Sequence, residues 1–233
     1  MKAIVCDVRR ALAGRWFWAA LLATTAALYL SIGQGADALM DDTQNLRFTL
    51  SELLMMALCG DFGMLTLPAL SALPFAAQAL HEIKCGAVRP AVFRAGRRMW
   101  ILGKAAGCIL SGMVLQAAGL LGLILYAVRG GSILLEINAE FNATLLRRML
   151  CGGIWASVGC VMALATETSS AAHLGPLCLC YALMMLGKRF FPAAVMLNPI
   201  NWIDGGDGML AGLETVSILL QIVFLKRGVR EYV

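Results

Sequence analysis

Histidine is the side chain best suited to moving a proton near neutral pH, and this chain has two, His81 and His173. A hydrolase working inside a membrane needs an activated nucleophile where the bond breaks. No Gly-x-Ser-x-Gly elbow, paired-carboxylate spacing or His-rich metal spacing accompanies the two histidines. Cys178-Leu179-Cys180 lacks the His or carboxylate company of a metal pair and reads as small apolar packing residues. None of the eight cysteines falls clearly in an external loop, so no structural disulfide is expected. Leu102-Gly103-Lys104 and Leu186-Gly187-Lys188 end in Gly-Lys without the upstream Gly or the following Ser/Thr of a phosphate-binding loop. The chain therefore reads as having no ATP site and no cofactor of its own.

Two places hold ionisable groups in more suggestive settings. Asp61, in Leu58-Cys59-Gly60-Asp61-Phe62-Gly63, lies about a third of the way into a long apolar run. A charge at that depth is expensive and faces protein or water, which makes Asp61 a candidate for a translocation path. The bland alternative is that it caps a local helix break between Gly60 and Gly63. The second place runs from His81-Glu82-Ile83-Lys84-Cys85-Gly86 through Arg89, Pro90 and Arg94 to Arg97-Arg98 and Lys104. Gly86 suits a helix end because it accepts positive φ, and Pro90 suits the first turn of a new short helix. On its own, such a segment could be a basic loop obeying topology and nothing more. Glu167, His173 and Glu214 are weaker candidates, read as solvated residues near helix ends.

The elements that must position these groups are membrane helices. Of the 233 residues 60% are hydrophobic and 14% charged, with a mean hydropathy of +0.78. Soluble domains are about 45–50% apolar and about 25% charged. The excess sits in long blocks, and crossing a bilayer core about 30 Å thick takes roughly 20 apolar residues in helix. The reading is an all-α, polytopic, single-domain membrane protein with six spans, at residues 16–32, 50–80, 101–128, 149–166, 171–186 and 209–225. Residues 1–14, with Ile4, Val5, Val8 and Leu12 set against Lys2, Asp7, Arg9 and Arg10, read as a basic amphipathic helix at the membrane surface. The first span is read as retained, because Gly33-Gln34-Gly35-Ala36 is a poor cleavage site. The second, about 45 Å long at helical rise, exceeds the bilayer core and must tilt, kink or protrude. Gly60, Gly63, Pro68 and Pro74 are its expected kink points. Gly103 and Gly107 have the small-xxx-small spacing of a close helix contact.

Orientation follows from the basic residues. The N-terminus, the 81–104 segment and the C-terminus hold four, six and three of the 19 Lys and Arg. Arg47, Arg129, Arg147, Arg148, Lys188 and Arg189 fall on the other side. The positive-inside rule then places both termini and the 81–100 segment in the cytoplasm.

Along the chain come a basic surface helix and six spans, with Glu82-x-x-x-Gly86, a short helix and a basic return to the membrane at Arg97, Arg98 and Lys104 between the second and third spans, and a substantial outer loop before the last. That combination resembles the permease subunits of type-2 ABC exporters. The resemblance implies that 81–100 is a coupling segment, with Glu82, Gly86, Arg89, Arg97 and Arg98 meeting an ABC ATPase subunit. It implies ATP and Mg in that partner, and a second permease subunit, identical or different, beside this chain in the lipid of a bacterial inner membrane. No nucleic-acid partner is expected. Cargo is open among peptide, lipid and small amphipathic molecule. The readings from other classes are a non-catalytic membrane scaffold or immunity protein, and an intramembrane hydrolase.

Overall fold

Apolar blocks punctuated by Gly, Pro and charged residues dictate helices, and helices are what form. The computed structural model describes residues 2–40, 57, 61–129, 139–191, 198–202 and 207–232, and contains no strand among them. In chain order the helices are α1 (Lys2–Ala13), α2 (Arg15–Met40), α3 (Asp61–Ala72), α4 (Gln78–Lys84), α5 (Val88–Ala95), α6 (Arg97–Arg129), α7 (Ala139–Thr166), α8 (Ser169–Arg189) and α9 (Asp207–Tyr232). A 3-10 turn, Pro199–Trp202, precedes α9 and stacks Trp202 on Trp155 of α7, with ring centroids 5.4 Å apart.

Among the described residues, five helices are long and apolar enough to cross a membrane. They contain Arg15–Ile32, Arg97–Leu125, Asn142–Thr166, Ser169–Arg189 and Gly208–Arg230. The chain is a multi-pass membrane protein. The remaining expected span, 50–80, lies partly outside the described residues. Its described part is two helices, α3 and α4, separated by a turn over residues 73–77. Of the expected kink points, Pro74 sits in that turn, whereas Gly63 and Pro68 lie inside α3 and Gly60 is outside the described residues.

Two boundaries correct the sequence reading. Helix α2 runs on to Met40, past the expected end at Ile32. Helix α7 begins at Ala139, so Arg147 and Arg148 belong to a helix instead of the outer loop. Arg148 is 1% exposed. Its guanidinium reaches into the bundle, where Arg148 Nε donates to Gln116 Oε1 (3.3 Å) and Gln116 Nε2 donates to Ser71 Oγ (2.7 Å).

Glycine decides how closely the helices approach. With little hydrophobic force between helices in lipid, packing of small residues sets the contact. A Cβ on Gly112 of α6 would fall on the carbonyl oxygen of Gly152 of α7, and a Cβ on Gly152 would lie 2.7 Å from that of Gly112. Beside this crossing Cys108 Sγ donates to the carbonyl of Ala156 (3.1 Å). The expected Gly103 and Gly107 contacts are present as well, but with two partners. Gly103 faces Asp7 of α1 and Gly107 faces the Phe75 ring, each 2.9 Å from where a Cβ would stand.

One end of the bundle collects the basic elements. Lys84 at the end of α4 donates to the carbonyl of Glu167, in the tight turn between α7 and α8. Arg97 Nη2, at the start of α6, donates to the carbonyl of Lys226 in α9 (3.0 Å). Helix α1 lies across the first turns of α6 at this same end.

Candidate functional site

Lys104 carries the only cationic head in the first buried turns of α6 below Arg97 and Arg98, and the helix begins its apolar run around it. A four-carbon stem in such a position either snorkels to water or finds anions. Here it finds anions. Lys104 is 2% exposed, and its Nζ donates to Glu82 Oε1 (2.6 Å) and to Asp7 Oδ1 (2.8 Å). The ammonium also faces the rings of Phe75 (5.4 Å to the centroid) and Trp100 (5.9 Å). Such cation–π contacts strengthen when desolvated.

Glu82 is the hub. Besides Lys104, its Oε1 accepts from Arg10 Nη1 (3.0 Å) and Gln78 Nε2 (3.4 Å), and its Oε2 accepts from Trp100 Nε1 (3.3 Å). Asp7, Glu82, Arg10 and Lys104 form a quartet of two anions and two cations, so the formal charges cancel. Burying a charge is tolerable only with this kind of pairing and hydrogen bonding. The quartet joins α1, α4 and α6, and Gly103 makes the join feasible by letting α1 approach the α6 backbone.

This arrangement revises the expected character of residues 1–14. Asp7, placed on the polar face with Arg9 and Arg10 from sequence, turns towards the bundle, while Val5 is 66% exposed. Lys104 supplies the reason: a buried ammonium attracts the nearest carboxylate that the helix crossing can deliver.

Helix α5 stands just beyond the quartet, between two glycines at positive φ, Gly86 (φ 75°) and Gly96 (φ 79°, ψ 148°, a region open essentially to glycine). Nothing lies within 4 Å of a Cβ built on either, so the turns are made by φ and not by crowding. Val88 is fully buried at the foot of α5 and Ala91 and Val92 pack on the core, which fixes one face of the helix. The opposite face presents Arg89, Pro90, Phe93 and Arg94, with Phe93 88% exposed.

No protein-family model, curated protein or solved structure matches this chain.

The site residues expected from sequence are therefore distributed unevenly. Glu82 is buried at the quartet, Gly86 forms the turn into α5, Arg89 lies on the outer face of α5, and Arg97 and Arg98 are exposed at the start of α6. The Asp61 side chain lies outside the described residues. Sequence reasoning missed Lys104, Arg10 and Trp100 as partners of Glu82, Asp7 as the second partner of Lys104, and Phe93. The available signal for Lys104 was its place inside an apolar run four residues after Trp100.

A second polar group lies deeper in the bundle. Ser71, Gln116 and Arg148 are each at most 1% exposed and link α3, α6 and α7. On the neighbouring face of α9, Glu214 is 8% exposed, and one of its carboxylate oxygens lies 2.7 Å from the Cβ position of Gly153. Buried charges of this kind are functional candidates in a membrane protein. Among the described residues no group of three or more His, Cys, Asp or Glu is arranged to hold a metal ion.

Proposed function

We propose that this chain is the membrane-spanning permease subunit of an ATP-driven exporter of the type-2 ABC kind, and that α5 is its docking helix for the ATPase. The observation that carries this reading is the pairing of an outward, basic and aromatic α5 with a buried charge quartet at its base. A free-standing basic loop has no need of such an anchor. A helix that must carry force from a soluble partner into a span does, because a push on α5 acts through α4 and Glu82 directly on Lys104 in α6.

In this reading the chain makes six crossings, the sixth being completed by the 50–80 segment, with both termini and α5 in the cytoplasm. The clustering of α1, α5, the 166–169 turn and the end of α9 at one end of the bundle supports that topology. Phe93 is the aromatic anchor and Arg89, Arg94, Arg97 and Arg98 the basic rim of the contact, the composition expected of an interface hot spot. ATP and Mg bind in the partner, not in this chain. Two permease subunits of a bacterial inner membrane pair, and the cargo path runs between them. Asp61 is the group assigned to that path, while Arg148 and Gln116 hold α6 and α7 together inside the bundle.

The experiment is ATP turnover by the assembled complex. Glu82→Gln keeps the size and removes the charge that ties α4 to α6, and should leave the ATPase bound while changing its turnover at least severalfold. Native turnover in a complex of native composition would remove the coupling role from Glu82.

A further inference from the structure

Beside the quartet, an open groove of about 680 Å³ lies between the start of α2, the 73–77 turn, α4 and the start of α8. Its charged and titratable lining is one-sided: Arg10, Arg15, Lys84, His81 and His173, with no Asp or Glu among the described lining residues. Its apolar wall comes from the 73–77 turn and from Trp16, which is 62% exposed. Arg10 and Lys84 each make one bond elsewhere, to Glu82 and to the Glu167 carbonyl. Both keep donors to spare, since a guanidinium has five N–H groups and an ammonium three. Ser169, the first residue of α8, also lines the groove, and Thr168 makes no side-chain capping bond to that helix end. The first N–H groups of α8 therefore add to a field that favours an anion.

The depth of the groove selects the kind of anion. Arg15 and Ser169 are the first residues of two membrane-crossing stretches, Arg15–Ile32 and Ser169–Arg189. The groove therefore opens at the level of lipid headgroups, beside an exposed Trp of the type that marks that level. We propose that it binds the headgroup of an anionic phospholipid, with Arg15 and Lys84 as the principal contacts and the acyl chains lying along α2 and α8. This inference stands on the groove and does not depend on the transport reading. The lipid would brace the α1–α2 corner against α4, next to the Arg10–Glu82 pair.

The test uses the full chain in mild detergent, offered equal amounts of phosphatidylglycerol and phosphatidylcholine with the same acyl chains, with bound lipid read by native mass spectrometry. Each Lys or Arg near the membrane contributes about fivefold to binding an anionic lipid, so phosphatidylglycerol should be favoured at least about tenfold. Arg15→Gln/Lys84→Gln should abolish most of that preference. The charge-matched Lys188→Gln/Arg189→Gln, in the last turn of α8 and about 30 Å along the helix from Ser169, should retain it within about twofold, because its cations lie beyond screening distance of the bound headgroup. Arg15→Lys, which keeps the charge, should behave as the native chain beside Arg15→Gln, and this pair reads the site even if the double variant fails to fold. Equal retention of the two lipids, equal losses in the two double variants, or full displacement of the lipid by millimolar inorganic phosphate would each overturn the assignment.

Discussion

Replacing Lys104 by Met removes the one cation that the quartet holds in full burial while keeping the length and apolar stem of the side chain. In the native chain the Lys104 side chain is 2% exposed and its ammonium bonds two carboxylates, whose side chains are 15% (Asp7) and 9% (Glu82) exposed. Removing one partner of a buried ion pair costs about 3–5 kcal/mol, because the remaining charge stays desolvated. Glu82 keeps Arg10, and Asp7 retains some access to water. The lower end, about 3 kcal/mol, is therefore the expected loss for Lys104→Met. The triple variant Asp7→Asn/Glu82→Gln/Lys104→Met removes both carboxylate charges as well. Only Arg10 is then left without its partner, and its side chain is 60% exposed and readily hydrated. The triple variant should recover most of the loss, ending within about 1–2 kcal/mol of the native chain, as neutral replacements of buried ion pairs do. Unfolding in a mixed-micelle titration measures all three proteins, and protease release of α1 reports whether the first helix has come away from α6. A Lys104→Met protein within about 1 kcal/mol of native, or a triple variant less stable than the single one, would refute the claim that the quartet is a buried, charge-balanced unit.

Other positions give independent checks. Gly86→Ala and Gly96→Ala should each destabilise by about 1–3 kcal/mol, from positive φ alone since both sites are open, with Gly96 (ψ 148°) towards the upper end; thermal melts in detergent measure this. Gly112→Val places a side chain against the Gly152 carbonyl and should cost about 1–3 kcal/mol or more, read as a lower melting temperature, whereas Gly212→Ala, at an open position, should be near neutral. Phe93→Asp should leave stability within about 0.5 kcal/mol, since the ring is almost wholly exposed, yet weaken ATPase binding by at least about thirtyfold in a titration with that partner. Gln116→Leu leaves Arg148 Nε and Ser71 Oγ without the amide that joins them and should cost about 1–3 kcal/mol, measured in the same unfolding titration.

Much of the frame was legible because long apolar runs leave a chain few options. The helices around 101–128, 171–186 and 209–225 appear where those runs lie, each extended by a few residues at its ends. The turn at Gly86 was legible because only glycine takes that φ cheaply. The quartet was not. Lys104 counts in sequence as one more basic residue near a membrane boundary, and Asp7 as one polar residue on a surface helix. Their meeting depends on α1 crossing α6 at Gly103, a contact between residues almost a hundred positions apart. Arg148 was assigned to an outer loop for a similar reason. The stretch Ala139 to Arg148 is mixed in character, and its helix is stabilised by interior partners such as Gln116 that no local pattern announces. Phe93 went unnoticed because a single aromatic residue among arginines carries no periodicity, and only its exposure marks it.

The docking role of α5 is tested most directly by purifying the tagged chain, gently solubilised from its native membrane, and asking what stays with it. The expected result is an ATPase subunit in stoichiometric amount, lost from the Phe93→Asp variant while the chain itself remains folded and membrane-inserted. A clean native chain with no ATPase, or an ATPase retained undiminished by Phe93→Asp, would contradict the account and favour a membrane scaffold or immunity protein that works without one.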